Sequence, residues 1–240
     1  MSKLIEWMKY GLRWGTPLPR QPVSGYLEWT LLRDILQAYS IDCVLDVGAN
    51  TGQFARNLRR VGYQGHICSF EPVKEAYTFL SASFREDARW AGYNYALGSE
   101  NTQRTFHVTV ESTAMSSFLQ PQDAGWKLRE AVVEIKRLDG VFQDVVVATG
   151  LKHPRVFLKM DTQGYDLEVF NGAGHCLDLI LGLQSEVSVK PVYEGMPHYL
   201  DSIRTFEDHG FELHGLAEVF RHPLRNHLIE MNCVMMRPIG

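Results

Sequence analysis

The chain has 240 residues, 45% of them hydrophobic and 22% charged, and a formal net charge of −4 at neutral pH. That length and balance suit one large domain with a sizeable core, and the mild acidity excludes the global basic field of a nucleic-acid binder. Cys43, Cys68, Cys176 and Cys233 form no C-x-x-C pair, so free buried thiols in a reducing compartment are expected. No apolar run reaches the roughly 18 residues of a membrane span, and the N-terminus lacks the apolar core of a signal peptide. A cytoplasmic protein is expected.

Residues 1–40 read as a helical cover and linker. Apolar residues recur at helical spacing from Leu4 to Trp14 among Lys3, Lys9 and Arg13, so an amphipathic helix is expected to cover a sheet edge or a cleft, with weak membrane-surface contact as the lesser reading. Pro17, Pro19 and Pro22 mark 15–25 as a linker, and 28–39 is predicted helical. From residue 41 to 240 the pattern is that of one α/β domain. Strands are predicted at 43–47, 66–70 and 92–96, with helices at 52–61 and 73–84 between them, a βαβαβ series. Residues 99–154 interrupt it as an insertion or elaborated crossover holding strand-like runs at 104–110 and 131–137. The series resumes with a strand at 155–160, a helix near 164–171, a strand at 180–187, a helix at 198–208 and strands at 211–216 and 230–236, the last pair suited to lie antiparallel.

The first strand ends in Asp46-Val47-Gly48-Ala49-Asn50-Thr51-Gly52. A strand running through a glycine turn into a helix is a nucleotide cradle, but the middle glycine that admits a dinucleotide pyrophosphate is missing. Asp46 before the turn would repel a pyrophosphate and suits a ligand carrying a sulfonium and an amino acid, which favours S-adenosylmethionine over a nicotinamide dinucleotide. Asp46, Gly48, Asn50 and Gly52 are therefore candidate cofactor contacts. Glu71 ends the second strand about 20 residues after Gly52, the distance at which an acid meets the ribose hydroxyls. Ala96 and Leu97 could pass beside the adenine. In the fourth strand, period-two alternation puts Lys159 and Asp161 on one face, and in the fifth Gln184, Glu186 and Ser188 share a face. Side by side these make a polar cluster at the carboxyl edge of the sheet, where open α/β folds bind ligands. Asp161, Glu186 and Lys159 are the candidate catalytic residues.

The sequence resembles the FkbM-type S-adenosylmethionine-dependent methyltransferases over roughly 41–236. The resemblance rests on Leu45–Gly52, Phe70-Glu71-Pro72, Leu138-Asp139, Leu158–Asp166 and Gln184–Ser188, and Asp166 stands where relatives carry a glutamate. It implies a class I methyltransferase fold, a Rossmann-like sheet of seven mostly parallel strands with helices on both faces. It also implies O-methylation of a hydroxyl on a sugar, glycolipid or polyketide-type acceptor. Asp161 is then the first choice for base or acceptor orienter and Glu186 the second. Magnesium assistance is the less favoured route, and no residue is assigned as a metal ligand. The five histidines from His198 to His227 lack ligand spacing. Two arginines and two histidines within 221–227 make a local basic loop that could meet an anionic group of the acceptor. A nicotinamide-dependent oxidoreductase and a non-catalytic binder of adenosylmethionine and glycan are the rival readings.

Overall fold

The computed structural model describes residues 20–110, 113–122 and 125–238, with side chains from Ser24 onward. The amphipathic helix expected at Leu4–Trp14 lies outside the described residues. Helix α1 (Arg20–Ala38) begins inside the segment expected to be a linker. Pro22 falls in its first turn, where the backbone N–H has no intrahelical partner and proline is tolerated.

Ten strands follow: β1 (Cys43–Val47), β2 (His66–Phe70), β3 (Trp90–Tyr93), β4 (Ala96–Leu97), β5 (Thr102–Thr109), β6 (Leu128–Lys136), β7 (Val156–Met160), β8 (Ile180–Ser188), β9 (Glu212–Arg221) and β10 (Leu228–Met236). The remaining helices are α2 (Gln53–Arg60), α3 (Lys74–Phe84), α4 (Leu138–Thr149), α5 (Asp166–Gly172) and α6 (Tyr199–Asp208). The main sheet has seven strands in the order β3-β2-β1-β7-β8-β10-β9. β10 runs antiparallel to both its neighbours, as the short link from β9 anticipates, and the other pairs are parallel.

Alternation within strands buried on both sides feeds two cores. On one face Val44, Ile67, Phe157 and Val234 meet Leu32 and Leu36 of α1, Leu58 of α2 and Leu80 of α3. On the other, Leu45, Leu158, Leu183 and Cys233 meet Phe142 of α4, Phe170 of α5 and Phe206 of α6. The strand expected at 92–96 is split: Asn94 turns the chain by donating from Nδ2 to the carbonyls of Glu71 (2.8 Å) and Pro72 (3.1 Å). β4 therefore leaves the main sheet and joins a second sheet of order β4-β6-β5. The segment 99–154 thus supplies β5, β6 and the crossover helix α4. That helix was not predicted, although buried Leu138, Phe142, Val145 and Val146 recur at helical spacing and Gly150 (φ 72°) closes its end.

Connections from β1 run outward to β2 and β3, then return to β7 on the other side of β1. The order of the sheet reverses at the β1–β7 pair, and a crevice opens at the carboxyl ends of these two strands.

Candidate active site

A cleft of about 890 Å³, open to solvent, occupies that crevice. Its centre is the crossing of the β1 and β7 exits. The Asp161 amide donates to the Val47 carbonyl at 3.2 Å, and a Cβ on Gly48 (φ 73°) would stand 2.0 Å from the Asp161 carbonyl oxygen. Glycine is required at 48 by this close approach of two backbones. The amides of Gly48 and Ala49 donate to the Phe70 carbonyl at 3.1 and 3.0 Å, and that of Gly52 to the Ala49 carbonyl at 2.8 Å. The Asn50 amide, at a left-handed φ of 47°, donates to Glu71 Oε2 at 2.8 Å. With its amides spent internally, the turn offers little to a pyrophosphate. Gly48 and Asn50 line the cleft. Gly52 corrects the expectation: it stands outside the lining, and a Cβ there would lie 2.8 Å from Leu80 and Phe84, so its part is close packing of α2 on α3.

Glu71 lies at the cleft wall, 6% exposed. Its Oε1 accepts from the Val73 amide at 2.8 Å, opposite the Asn50 bond on Oε2. Burial pushes its pKa up to about 7, against the lowering effect of the two amides and of Lys159. Each oxygen keeps a lone pair beyond its amide bond for a hydroxyl. Buried Ala96 and Leu97 line the same wall with Phe70 and Pro72. The roof comes from the 99–154 segment, which brings Phe106 and Phe118 in edge contact at 4.7 Å. Thr113 Oγ1 also reaches Asn50 Oδ1 at 3.1 Å.

Lys159 forms the floor. Its Nζ is 3.0 Å from Asp46 Oδ1, 3.6 Å from Asp161 Oδ2, and within hydrogen-bond distance of the Val47 (3.3 Å) and Gly48 (3.2 Å) carbonyls. Burial alone would lower its pKa, but Asp46 and then Asp161 outweigh it and hold the ammonium charged. Asp46 is fully buried and outside the lining, with Oδ2 accepting from Ser69 Oγ at 3.2 Å. This corrects its assignment as a cofactor contact: it is the counter-ion that lets Lys159 clamp the turn.

At the tip of β7, Asp161 keeps a side chain 43% exposed. Gln163, in the left-handed region at φ 52°, sends Nε2 to Asp161 Oδ1 (3.2 Å) and Glu186 Oε2 (2.7 Å), while its Oε1 accepts from Tyr193 Oη at 3.0 Å. Glu186 therefore lies behind Gln163, bordering a smaller hollow of about 210 Å³ with Ser188 rather than the cleft itself. That corrects its placement as a group reaching the acceptor directly. Burial, then Asp161 and Glu230, push its pKa well above the usual carboxylate range. Glu230, opposite Ser188 on β10, is 5% exposed and pushed up to about 7 by burial and then Asp161. Asp166 serves α5: it accepts from the Thr162 amide (2.9 Å) and hydroxyl, Ser185 Oγ (2.7 Å) and the Glu186 amide (3.2 Å). Asp139, within the Leu138-Asp139 motif, is paired with Arg137 in the first turn of α4.

Gln163, Tyr193, Phe106, Phe118 and Thr113 were not predicted. Gln163 carried a signal as part of the Leu158–Asp166 motif and of the turn before Gly164, though without an assigned role, and the aromatic residues came from an insertion with no motif. In the basic loop, Arg221 is held by Glu218 through Nε (3.0 Å) and by the Asn226 carbonyl, which leaves Arg225 as the exposed cation. Among the described residues no three His, Cys, Asp or Glu side chains are placed to share a metal ion. No helix among them is long and apolar enough to cross a membrane.

A doubly wound sheet with an antiparallel seventh strand, a glycine turn at the switch point and an acid ending β2 define a class I methyltransferase architecture. The family model of the methyltransferase FkbM domain matches residues 46–213, and the chain belongs to that family. A protein from Thermobifida fusca described as a methyltransferase shares the fold at a TM-score of 0.50, with 12% identity over 90% of this chain and 81% of that one. The magnesium protoporphyrin IX methyltransferase of Synechocystis PCC 6803, solved with bound S-adenosylmethionine, aligns at a TM-score of 0.47 with 12% identity, over 90% of this chain and 81% of that one. Aeropyrum pernix fibrillarin, solved with natively bound S-adenosylmethionine, aligns at 0.45 with 12% identity, over 80% and 66%. No curated protein matches the chain in sequence.

Proposed function

We propose that the protein transfers a methyl group from S-adenosylmethionine to a hydroxyl oxygen of a sugar, glycan, glycolipid or polyketide-type acceptor, with Asp161 as the group that orients the hydroxyl and takes its proton. The observation that carries this reading is the half-exposed Asp161 carboxylate at the switch point, across the cleft from Glu71. The cleft suits the cofactor. Glu71 would take the ribose hydroxyls, Ala96, Leu97, Phe70 and Phe106 would enclose the base, and the spent amides of the glycine turn leave no cradle for a second phosphate-linked nucleotide. That last point weighs against a nicotinamide dinucleotide.

When bound, the cofactor supplies an electrophilic methyl on a sulfonium. The chain's own task is to align an acceptor hydroxyl and remove its proton, which is positioning and base work. Asp161 is open to the cleft, whereas burial and Asp161 itself favour the protonated form of Glu186. The two carboxyls thus divide into an accessible acceptor and a buried partner. Lys159 keeps the two strand exits together and holds positive charge beside Asp161. Arg225 could attract an anionic part of the acceptor.

Two measurements test the reading. Calorimetry should give micromolar adenosylmethionine binding and none for NAD, and labelled cofactor should methylate at least one of a panel of sugar and lipid hydroxyl acceptors. Activity that survives a chelator supports the Asp161 base; activity abolished by chelator and restored by magnesium would replace it with metal-assisted chemistry. Adenosylmethionine binding with no transfer to any acceptor would favour the non-catalytic module.

A further inference from the structure

Asp161 and Glu186 come from different strands, and two carboxyls meeting in a buried setting repel as anions. The two carboxyls lie close enough to hydrogen-bond each other directly, and one neutral side chain donates to both. The Gln163 carboxamide has two N–H groups, and both are used: Nε2 lies 3.2 Å from Asp161 Oδ1 and 2.7 Å from Glu186 Oε2. This orientation turns Nε2 toward the two carboxyls and Oε1 toward Tyr193 Oη, 3.0 Å away, whose one proton is shared with the Met115 carbonyl at 2.8 Å. The backbone is fixed as well: Gln163 is 7% exposed at φ 52°, and its carbonyl accepts from buried Ser117 Oγ at 2.7 Å. A non-glycine residue in the left-handed region, over-determined by buried bonds, marks a constrained site rather than a loop.

We propose that Gln163 is a positioning residue whose carboxamide holds Asp161 and Glu186 together as one carboxyl pair, aiming Asp161 into the cleft. The proposal rests on the reading of Asp161 as the acceptor-side base and adds the residue that sets its geometry. Other groups act on the pair: Lys159 on β7 at 3.6 Å from Asp161, and Asp166, Glu230 and the Tyr193 hydroxyl around Glu186. The Lys159 ammonium is directed at Asp46, Asp161 and the Val47 and Gly48 carbonyls. Of these groups, only Gln163 bridges both carboxyls. A donor to a carboxylate favours its charged form, so loss of the bridge should make both carboxyls harder to ionise.

The test is a titration of the whole protein carrying ¹³C-labelled aspartate and glutamate side-chain carboxyls, assigned with Asp161→Asn and Glu186→Gln. Gln163→Met keeps the length of the side chain and removes both donors. The midpoint at which the carboxyl pair first ionises should rise. Gln163→Glu is the second variant, near-isosteric and able to donate at most once, and it should shift the midpoint in the same direction. Midpoints that stay where they are in a variant shown to be folded by near-ultraviolet dichroism would overturn the proposal. Loss of the fold in both variants would also overturn it, by assigning the amide to loop structure. The titration needs neither acceptor nor cofactor, so a failure to find methyl transfer would leave its result standing.

Discussion

On the β1–β2 bank of the cleft, the Glu71 carboxylate is met by two backbone amides at 2.8 Å, one on each oxygen. On the β7–β8 bank, Asp161, Glu186 and Glu230 crowd one another, bridged by a single carboxamide, and burial drives the latter two carboxyls toward their neutral forms. On the first bank each carboxylate oxygen is met by a donor. The second gathers carboxyls in surroundings that oppose their charge, at a cost in stability. The difference also separates what short motifs encode from what the folded chain creates.

The sharpest way to break the comparison is Asp161→Asn, which keeps shape and loses the proton acceptor. With an acceptor identified from the panel, kcat should fall by about 10²–10⁴ while calorimetric affinity for adenosylmethionine stays close to wild type. Stability should change little, because the partner nearest Lys159 is Asp46 at 3.0 Å and not Asp161 at 3.6 Å. Lys159→Met tests the floor shared by both banks. It leaves Asp46 buried without a counter-ion, so the protein should lose about 3–5 kcal/mol in denaturant unfolding. A loss under about 1 kcal/mol would mean that the pair contributes as little as a surface ion pair.

A third prediction sharpens the cofactor bank. Glu71→Ala should weaken adenosylmethionine binding by about 1.5–3 kcal/mol. In the wild type, a proton on Glu71 competes with the hydroxyl donors, so affinity should drop as the pH falls through about 7, the value to which burial raises this carboxyl. The same pH series on Glu71→Gln should be flat over this window if Glu71 is the group responsible.

Legibility in the sequence follows the same division. Strand β1, the turn, α2, β2 and Glu71 follow one another in the chain, so the strand-turn-helix-strand unit and the place of Glu71 at its carboxyl end could be read from residues 43–71. Lys159 and Asp161 were legible as a buried charged stripe, but their partners were not. Asp46 looked like a ligand contact because sequence gives no hint that β7 lies beside β1 with Lys159 opposite Asp46. Gln163, Tyr193 and the roof residues Phe106 and Phe118 meet only through tertiary contacts between remote segments. A Cβ at Gly172, the last residue of α5, would sit 1.9 Å from the Gly98 carbonyl oxygen, a close approach that no local pattern announces.

The smallest effect expected is a gain. Glu230 is 5% exposed, its Oε1 has no hydrogen-bond partner among the described residues, and Asp161 and Asp166 oppose its charge. Its pKa rises from an ordinary 4.5 to about 7 on folding. Below 4.5 both folded and unfolded chains carry the proton, and the contribution to stability is full. As the pH rises from 4.5 through 7 the unfolded chain releases the proton first, so that stability is lost, and above 7 the folded protein holds an ill-solvated anion. Glu230→Gln removes that anion and can turn an amide donor toward Glu186. Thermal or urea unfolding at pH 8 should then show a gain of about 1–3 kcal/mol over wild type, shrinking toward zero at pH 4. A loss at pH 8 would mean that Glu230 makes a bond that needs its charge, and the β7–β8 bank would then be no more costly to keep than the bank that holds Glu71.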